Sequence, residues 1–206
     1  MLHYEAIETQ TLELLNQLIK VEEFSGLRLV GGTALALHIG HRKSVDLDLF
    51  GSIKSDKITI FNILSSLGKT KIISETENIH VFNVGKIKVD IVNYPYPWLE
   101  EKIVKDNIPL AGIKDIAAMK LAAITGRGSK KDFFDLFFLL NHFSLRDLLH
   151  FYQEKYEDGS PFLVLKSLAY FADAELDPDP LLIEPISWDK VKTSIMKGLN
   201  NYFAAQ

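Results

Sequence analysis

Cysteine is absent from the chain. That excludes disulfides, thiolate zinc sites and cysteine nucleophiles, and it is compatible with a reducing compartment. Long apolar runs are also missing: none approaches the roughly 20 residues that a membrane-spanning helix needs. The first eight residues lack a basic segment followed by an apolar stretch, so no secretory leader is expected there. The expectation is a cytoplasmic protein with no membrane segment. Positive charge is not in excess. A net charge of −4 argues against a surface that coats nucleic acid indiscriminately, though a local basic patch is compatible with it. There is no internal repeat and no low-complexity tract.

What is present is ordinary for a soluble globular chain: 206 residues, 47% apolar and 24% charged. Apolar residues at near-helical spacing predict a helix over residues 5–23. Leu27–Val30 reads as a short strand, and Thr33 as the cap of a helix running to about His41. Val45–Phe50 alternates apolar and acidic residues, as a half-buried strand does. A helix is predicted over Asp56–Leu67, followed by strands at Lys71–Ser74, His80–Val84 and Ile87–Val92. Gly85-Lys86 forms a tight hairpin between the last two. After about residue 110 the pattern is helical, with segments near 113–125, 130–142, 145–157, 161–173 and 187–203. Ser160-Pro161 and Ser187 are helix starts. The composition shift near 100–112 separates a mixed α/β half from a helical half.

The chemistry concentrates in the first half. Asp46 and Asp48 lie two apart on the predicted strand and so share a face. Like charges that close repel unless a divalent cation lies between them. Fourteen residues before Asp46, Gly31-Gly32 puts bare backbone amides at a strand-to-helix turn, a setting suited to phosphate. A third acid, Asp90, interrupts the apolar strand Ile87–Val92. If that strand neighbours Val45–Phe50, three carboxylates converge. Mg²⁺ (or Mn²⁺) held by Asp46, Asp48 and Asp90 would then meet a nucleoside triphosphate cradled by Gly31, Gly32 and Thr33.

This ordered set resembles the nucleotidyltransferase superfamily, whose signature is Gly-Gly or Gly-Ser, then Asp-x-Asp or Asp-x-Glu, then a distant Asp. More narrowly, three segments resemble the AbiEii/AbiGii toxin type: Gly31-Gly32-Thr33-Ala34, His41-Arg42-Lys43-Ser44 and Asp46-Leu47-Asp48-Leu49-Phe50. The resemblance implies an α+β fold in which a nucleotidyltransferase-like mixed β-sheet with helices (residues 1–110) precedes an all-helical half (111–206) packed on it and contributing to the site. It implies transfer of a nucleoside monophosphate from an NTP to an acceptor hydroxyl, on RNA such as tRNA or on protein. It also implies toxicity restrained by a separately encoded antitoxin. Two alternatives are a nucleotide- or RNA-binding module without turnover, acting through a partner, and a metal-dependent phosphohydrolase.

In the helical half, Ile113, Ile116, Ala117, Leu121 and Ile124 share one face, and Lys120 falls in its middle. A lysine on an apolar stripe needs a partner: a triphosphate, or a structural acid. Asp132 and Asp135 are three apart on the next helix, after Arg127, Lys130 and Lys131. By the resemblance, Lys120 and Arg127 contact the nucleotide phosphates, and Asp135 is a further catalytic or positioning acid. His38 and His41 read as packed or surface residues, with a metal pair as the alternative. Tyr94, Tyr96 and Trp98 read as a loop packed on a core, with base stacking as the alternative.

Overall fold

The computed structural model describes Met1–Ala205 and divides into two compact units. The first comprises Met1–Tyr96 with Glu101–Ala111; the second comprises Pro97–Glu100 with Gly112 onward.

The first unit is a seven-stranded mixed sheet with three helices. In chain order these are α1 (Thr9–Leu18), β1 (Leu27–Val30), α2 (Gly31–Ile39), β2 (Leu47–Gly51), α3 (Lys57–Leu67), β3 (Thr70–Glu75), β4 (Ile79–Val84), β5 (Ile87–Asn93), β6 (Ile103–Lys105) and β7 (Ile108–Leu110). The strand order is β3-β4-β5-β2-β1-β7-β6. β2 runs parallel to β5 and antiparallel to β1, and β7 lies parallel to β1 on its other side. Leu47, Leu49, Phe82, Val89 and Ile91 are buried on one face of the sheet. Each such side chain contributes roughly 1.5–3 kcal/mol by leaving water. α2 packs on β1 and β2, and α3 packs on β3 and β4.

The α+β class and the order of the main elements follow the sequence reading; four details differ. The first helix is shorter than expected, because Ile7 pairs with Ser44 in a parallel bridge and is therefore extended. Thr33 is not a cap: α2 begins at Gly31, and its N-cap is Val30, whose side chain makes no cap bond. It ends at Gly40, whose positive φ of 64° stops the helix. β2 begins at Leu47, so Asp46 lies just before the strand, not within it. The hairpin β6–β7 was not foreseen. Its turn residues, Asp106 and Asn107, both adopt positive φ, a conformation that Asn and Asp tolerate better than most residues.

The second unit holds α4 (Ile113–Gly126), α5 (Lys130–Leu139), α6 (Leu145–Lys155), α7 (Pro161–Leu168) and α8 (Trp188–Ala204). α4 packs against α5, α6 and α7. Ser160, with Pro161 at the first helical position, and Ser187 cap their helices as the sequence suggests. Ser144 and Asp147 form a reciprocal capping box on α6.

Candidate active site

The register of the sheet decides where the acids meet. Asp48 on β2 is paired directly with Asp90 on β5, and Val30, the last residue of β1, is paired with Asp48 from the other side. Alternation along β2 buries Leu47 and Leu49 and turns Asp48 and Phe50 to the opposite face. Alternation along β5 puts Lys88, Asp90 and Val92 on that same face.

The Gly pair meets this row at the start of α2. Gly31 has φ of +69°, and a Cβ there would collide with Oδ2 of Asp48. Only glycine lets the backbone turn this way so close to the carboxylate. The first amides of α2 have no intrahelical acceptors, and the N-cap residue Val30 supplies no side-chain cap. Gly32 lies against Arg42, whose guanidinium occupies the space a Cβ would need. Arg42 is 5% exposed and donates to the Lys43 carbonyl at 3.0 Å. The position of Arg42 beside Gly32 depends on a loop fold that no periodicity in the sequence reveals.

Thr33 is fully buried. Its Oγ1 lies 2.8 Å from Ser44 Oγ and also within hydrogen-bond reach of the Asp46 carbonyl. A carbonyl only accepts, so Thr33 donates to Asp46 and Ser44 donates to Thr33. The hydroxyl thus pins the approach to β2, which orients Asp46.

Asp90 is held by Lys88, with Nζ 2.5 Å from Oδ2. Its other oxygen, Oδ1, is buried and has no hydrogen-bond partner. An unpaired carboxylate oxygen beside a second carboxylate is costly unless something positive reaches it. Among the described residues, no three His, Asp or Glu side chains are gathered closely enough to hold a metal ion. Asp48 and Asp90 nevertheless fit Mg²⁺ in the mode that combines one or two carboxylates with substrate phosphate oxygens. The fit rests on the hard oxygen donors and the orphaned Oδ1. His38 donates from Nε2 to the Ala111 carbonyl at 2.9 Å, so that ring nitrogen serves the fold.

The acids of the helical unit are arranged differently. Lys120 is 4% exposed, and Nζ reaches Asp132 Oδ1 at 2.9 Å and Asp135 Oδ2 at 2.5 Å; both acids are fully buried. Of the two partners that the sequence left open for Lys120, the structure supplies the acids. Arg127 adds two bonds to Asp132, at 2.8 and 3.0 Å, and Ser129 a third at 2.6 Å. Burial pushes the Asp132 carboxyl up, but the Lys120 charge, the Arg127 hydrogen bond and charge and the Ser129 hydroxyl together hold it well below the usual carboxylate range.

A second buried pair escaped the sequence reading. Asp115 and Lys155, both fully buried, meet at 2.7 Å. Asp115 also accepts from the Leu99 and Glu100 amides, at 2.9 and 3.0 Å. Lys155 donates to the Pro97 carbonyl at 2.7 Å and lies 4.6 Å from the Trp98 ring centroid. This places Trp98 beside a structural cation.

The comparisons with known proteins bear on the family and the fold. Residues 13–205 match the model of the family described as nucleotidyl transferase AbiEii toxin, Type IV TA system. The chain belongs to the AbiEii nucleotidyltransferase toxin family. It is 34% identical over 204 residues to the uncharacterised protein aq_aa25 of Aquifex aeolicus, covering 95% of this chain and 97% of the relative. Among solved structures it is similar to JHP933 of Helicobacter pylori, with a TM-score of 0.58 and 23% identity, covering 95% of this chain and 92% of that one. It is also similar to MenT4, a nucleotidyltransferase toxin of Mycobacterium tuberculosis, with a TM-score of 0.56 and 15% identity, covering 92% and 81%. These two likenesses concern the fold. As an AbiEii member the chain is a nucleotidyltransferase of a toxin–antitoxin family. Among the described residues no helix is long and apolar enough to cross a membrane.

Proposed function

We propose that the chain moves a nucleoside monophosphate from an NTP to an acceptor hydroxyl on the sheet face carrying Asp48 and Asp90. The observation that carries this reading is the direct pairing of those two acids beside Gly31, with Asp90 Oδ1 orphaned. Asp48 and Asp90 would hold Mg²⁺, which when bound neutralises phosphate charge and polarises the reacting oxygens; Asp46, just before β2, is not gathered with them into a three-acid cluster. The amides of Gly31 and Gly32 would cradle the outer phosphates, with the Arg42 guanidinium beside them. Thr33 keeps the Asp46 backbone in place. Lys88 steadies Asp90 and adds a positive charge to the row.

The acceptor hydroxyl releases its proton to solvent as its oxygen bonds to the α-phosphorus, the α–β bridge breaks, and pyrophosphate leaves in line. Most of the rate comes from positioning and charge neutralisation. The acceptor is RNA or a protein hydroxyl, and a separately encoded antitoxin restrains the activity. The family resemblance supports both points.

Incubation with Mg²⁺, each α-labelled NTP and total RNA tests the reading. Label joined to RNA together with pyrophosphate release is expected, and both vanish in Asp48→Asn. Simple hydrolysis with no tagged acceptor would favour a phosphohydrolase. Nucleotide binding with no product at all would favour an inactive binding module.

A further inference from the structure

Beyond the carboxylates, the same face of the sheet carries a run of aromatic rings. Phe50 is two residues past Asp48 on β2, hence on the same face and about 7 Å further along. Tyr94 continues the β5 alternation beyond Asp90 and Val92, and its amide donates to the Gly51 carbonyl at 2.8 Å. The rings of Phe50 and Tyr94 lie 5.4 Å apart, and those of Tyr94 and Tyr96 5.2 Å apart. Tyr96 is 46% exposed, so the ladder runs out to the surface. Arg28 on β1 is paired directly with Phe50 and puts a half-buried cation in the same row.

The layout is linear. β1 is antiparallel to β2 and ends at Val30 opposite Asp48, so Gly31 and Gly32 lie toward the start of β2 and the aromatic ladder lies toward its end. The carboxylates stand between them. Phosphoryl transfer is in line: the attacking oxygen arrives opposite the departing pyrophosphate. With the outer phosphates at the glycines, the attack comes from the ladder side.

We propose that Phe50, Tyr94 and Tyr96, flanked by Arg28, form the stacking subsite for the terminal base of an RNA acceptor. The inference rests on the nucleotidyl-transfer reading for its direction and adds the residues that receive the acceptor. RNA is favoured over a protein acceptor because unpaired bases stack on aromatic rings without regard to sequence, and arginine beside the rings serves the backbone. Tyr94 and Tyr96 are therefore more than a loop packed on a core.

The test uses the full chain and reads two affinities separately. A short, fluorescently labelled single-stranded RNA with a free 3′ hydroxyl is titrated by anisotropy, and NTP binding is measured by calorimetry with a non-hydrolysable analogue. Tyr96→Leu weakens RNA binding roughly tenfold and leaves NTP affinity within about twofold. Tyr96→Phe retains RNA binding, since it keeps the ring. Phe50→Leu repeats the RNA defect from within the sheet.

The inference is overturned if wild-type protein does not bind the RNA, or if Tyr96→Leu leaves RNA binding unchanged. It is equally overturned if NTP affinity falls in step, which would assign the ladder to the nucleotide's own base. The parent reading fails separately. Ring-dependent RNA binding without nucleotidyl transfer would sink the enzyme reading and leave the subsite standing. Transfer that is indifferent to all three variants would do the reverse.

Discussion

The two units of this chain both place aspartates beside lysines, to opposite effect. In the helical unit every buried acid with a resolved partner set is matched: Asp115 by Lys155 and two amides, and Asp132 by Lys120, Arg127 and Ser129. In the sheet unit Asp48 and Asp90 stand side by side, and one oxygen of Asp90 is buried without a donor. A carboxylate with both oxygens matched is satisfied by the fold that holds it. A carboxylate beside another, with an oxygen left over, is a place where charge has to arrive from outside. The comparison sets acids whose oxygens are matched within the fold against an acid with an oxygen left over, and each prediction below attacks one side of it.

The largest effect is expected at Asp48. Asp48→Asn keeps the shape and removes one charge from the row. Transfer activity should fall at least a thousandfold, more than about 4 kcal/mol on the barrier. Thermal stability should be unchanged or raised, because a like-charge contact with Asp90 is relieved. A large drop in melting temperature together with retained activity would put Asp48 on the architectural side.

Lys155 is the converse case. Lys155→Met leaves Asp115 buried with its charge and only two amides. Removing one partner of a buried pair costs about 3 kcal/mol or more, so denaturant unfolding should show that loss. Transfer per folded molecule should be unaltered. If instead stability holds and turnover collapses, Lys155 belongs to the chemistry.

Asp132 offers a pH signature. Its folded pKa is depressed, so the stability it contributes is fully present above the unfolded value of about 3.9 and is lost as pH falls from there toward the folded value. Asp132→Asn should cost about 2 kcal/mol at neutral pH and flatten the stability curve below about pH 4. Parallel curves for variant and wild type would contradict the charge-paired assignment.

How much of this was legible beforehand follows from the range of each signal. The strand carrying Asp48 and the one carrying Asp90 announce themselves by alternation, a local property. That they are neighbours depends on strand order, which places β5 beside β2 across the 35 residues of chain between them. Lys120 stood out because it interrupts an apolar stripe, and its need for a partner was therefore visible. Lys155 gave no such warning: it sits at the end of an amphipathic helix, where a lysine normally reaches water. Thr33 misled because a Thr after a strand resembles a cap; the positive φ of Gly31 starts the helix two residues earlier and turns the hydroxyl toward Asp46 instead. The aromatic ladder was half visible. Tyr94 and Tyr96 drew notice as an interrupted loop, while the contribution of Phe50 needed the register.

The smallest effect on stability, and the one that presses hardest on the comparison, concerns Arg127. Its guanidinium holds Asp132, yet its side chain is 60% exposed. An ion pair with one partner in solvent is worth little, and Lys120 and Ser129 remain on Asp132 when it is lost. Arg127→Ala should therefore cost less than about 1 kcal/mol of stability. If Arg127 were architecture alone, the Michaelis constant for the NTP would also stay put. The family resemblance implies a contact with the nucleotide phosphates for Arg127, as it does for Lys120, and the Arg127 side chain reaches solvent. The expected outcome is a three- to tenfold rise in that constant, roughly 0.7–1.4 kcal/mol, with the melting temperature barely moved. Steady-state kinetics run beside a thermal melt on the same preparation decides it. A melt that shifts while the constant does not would return Arg127 to the acids it touches.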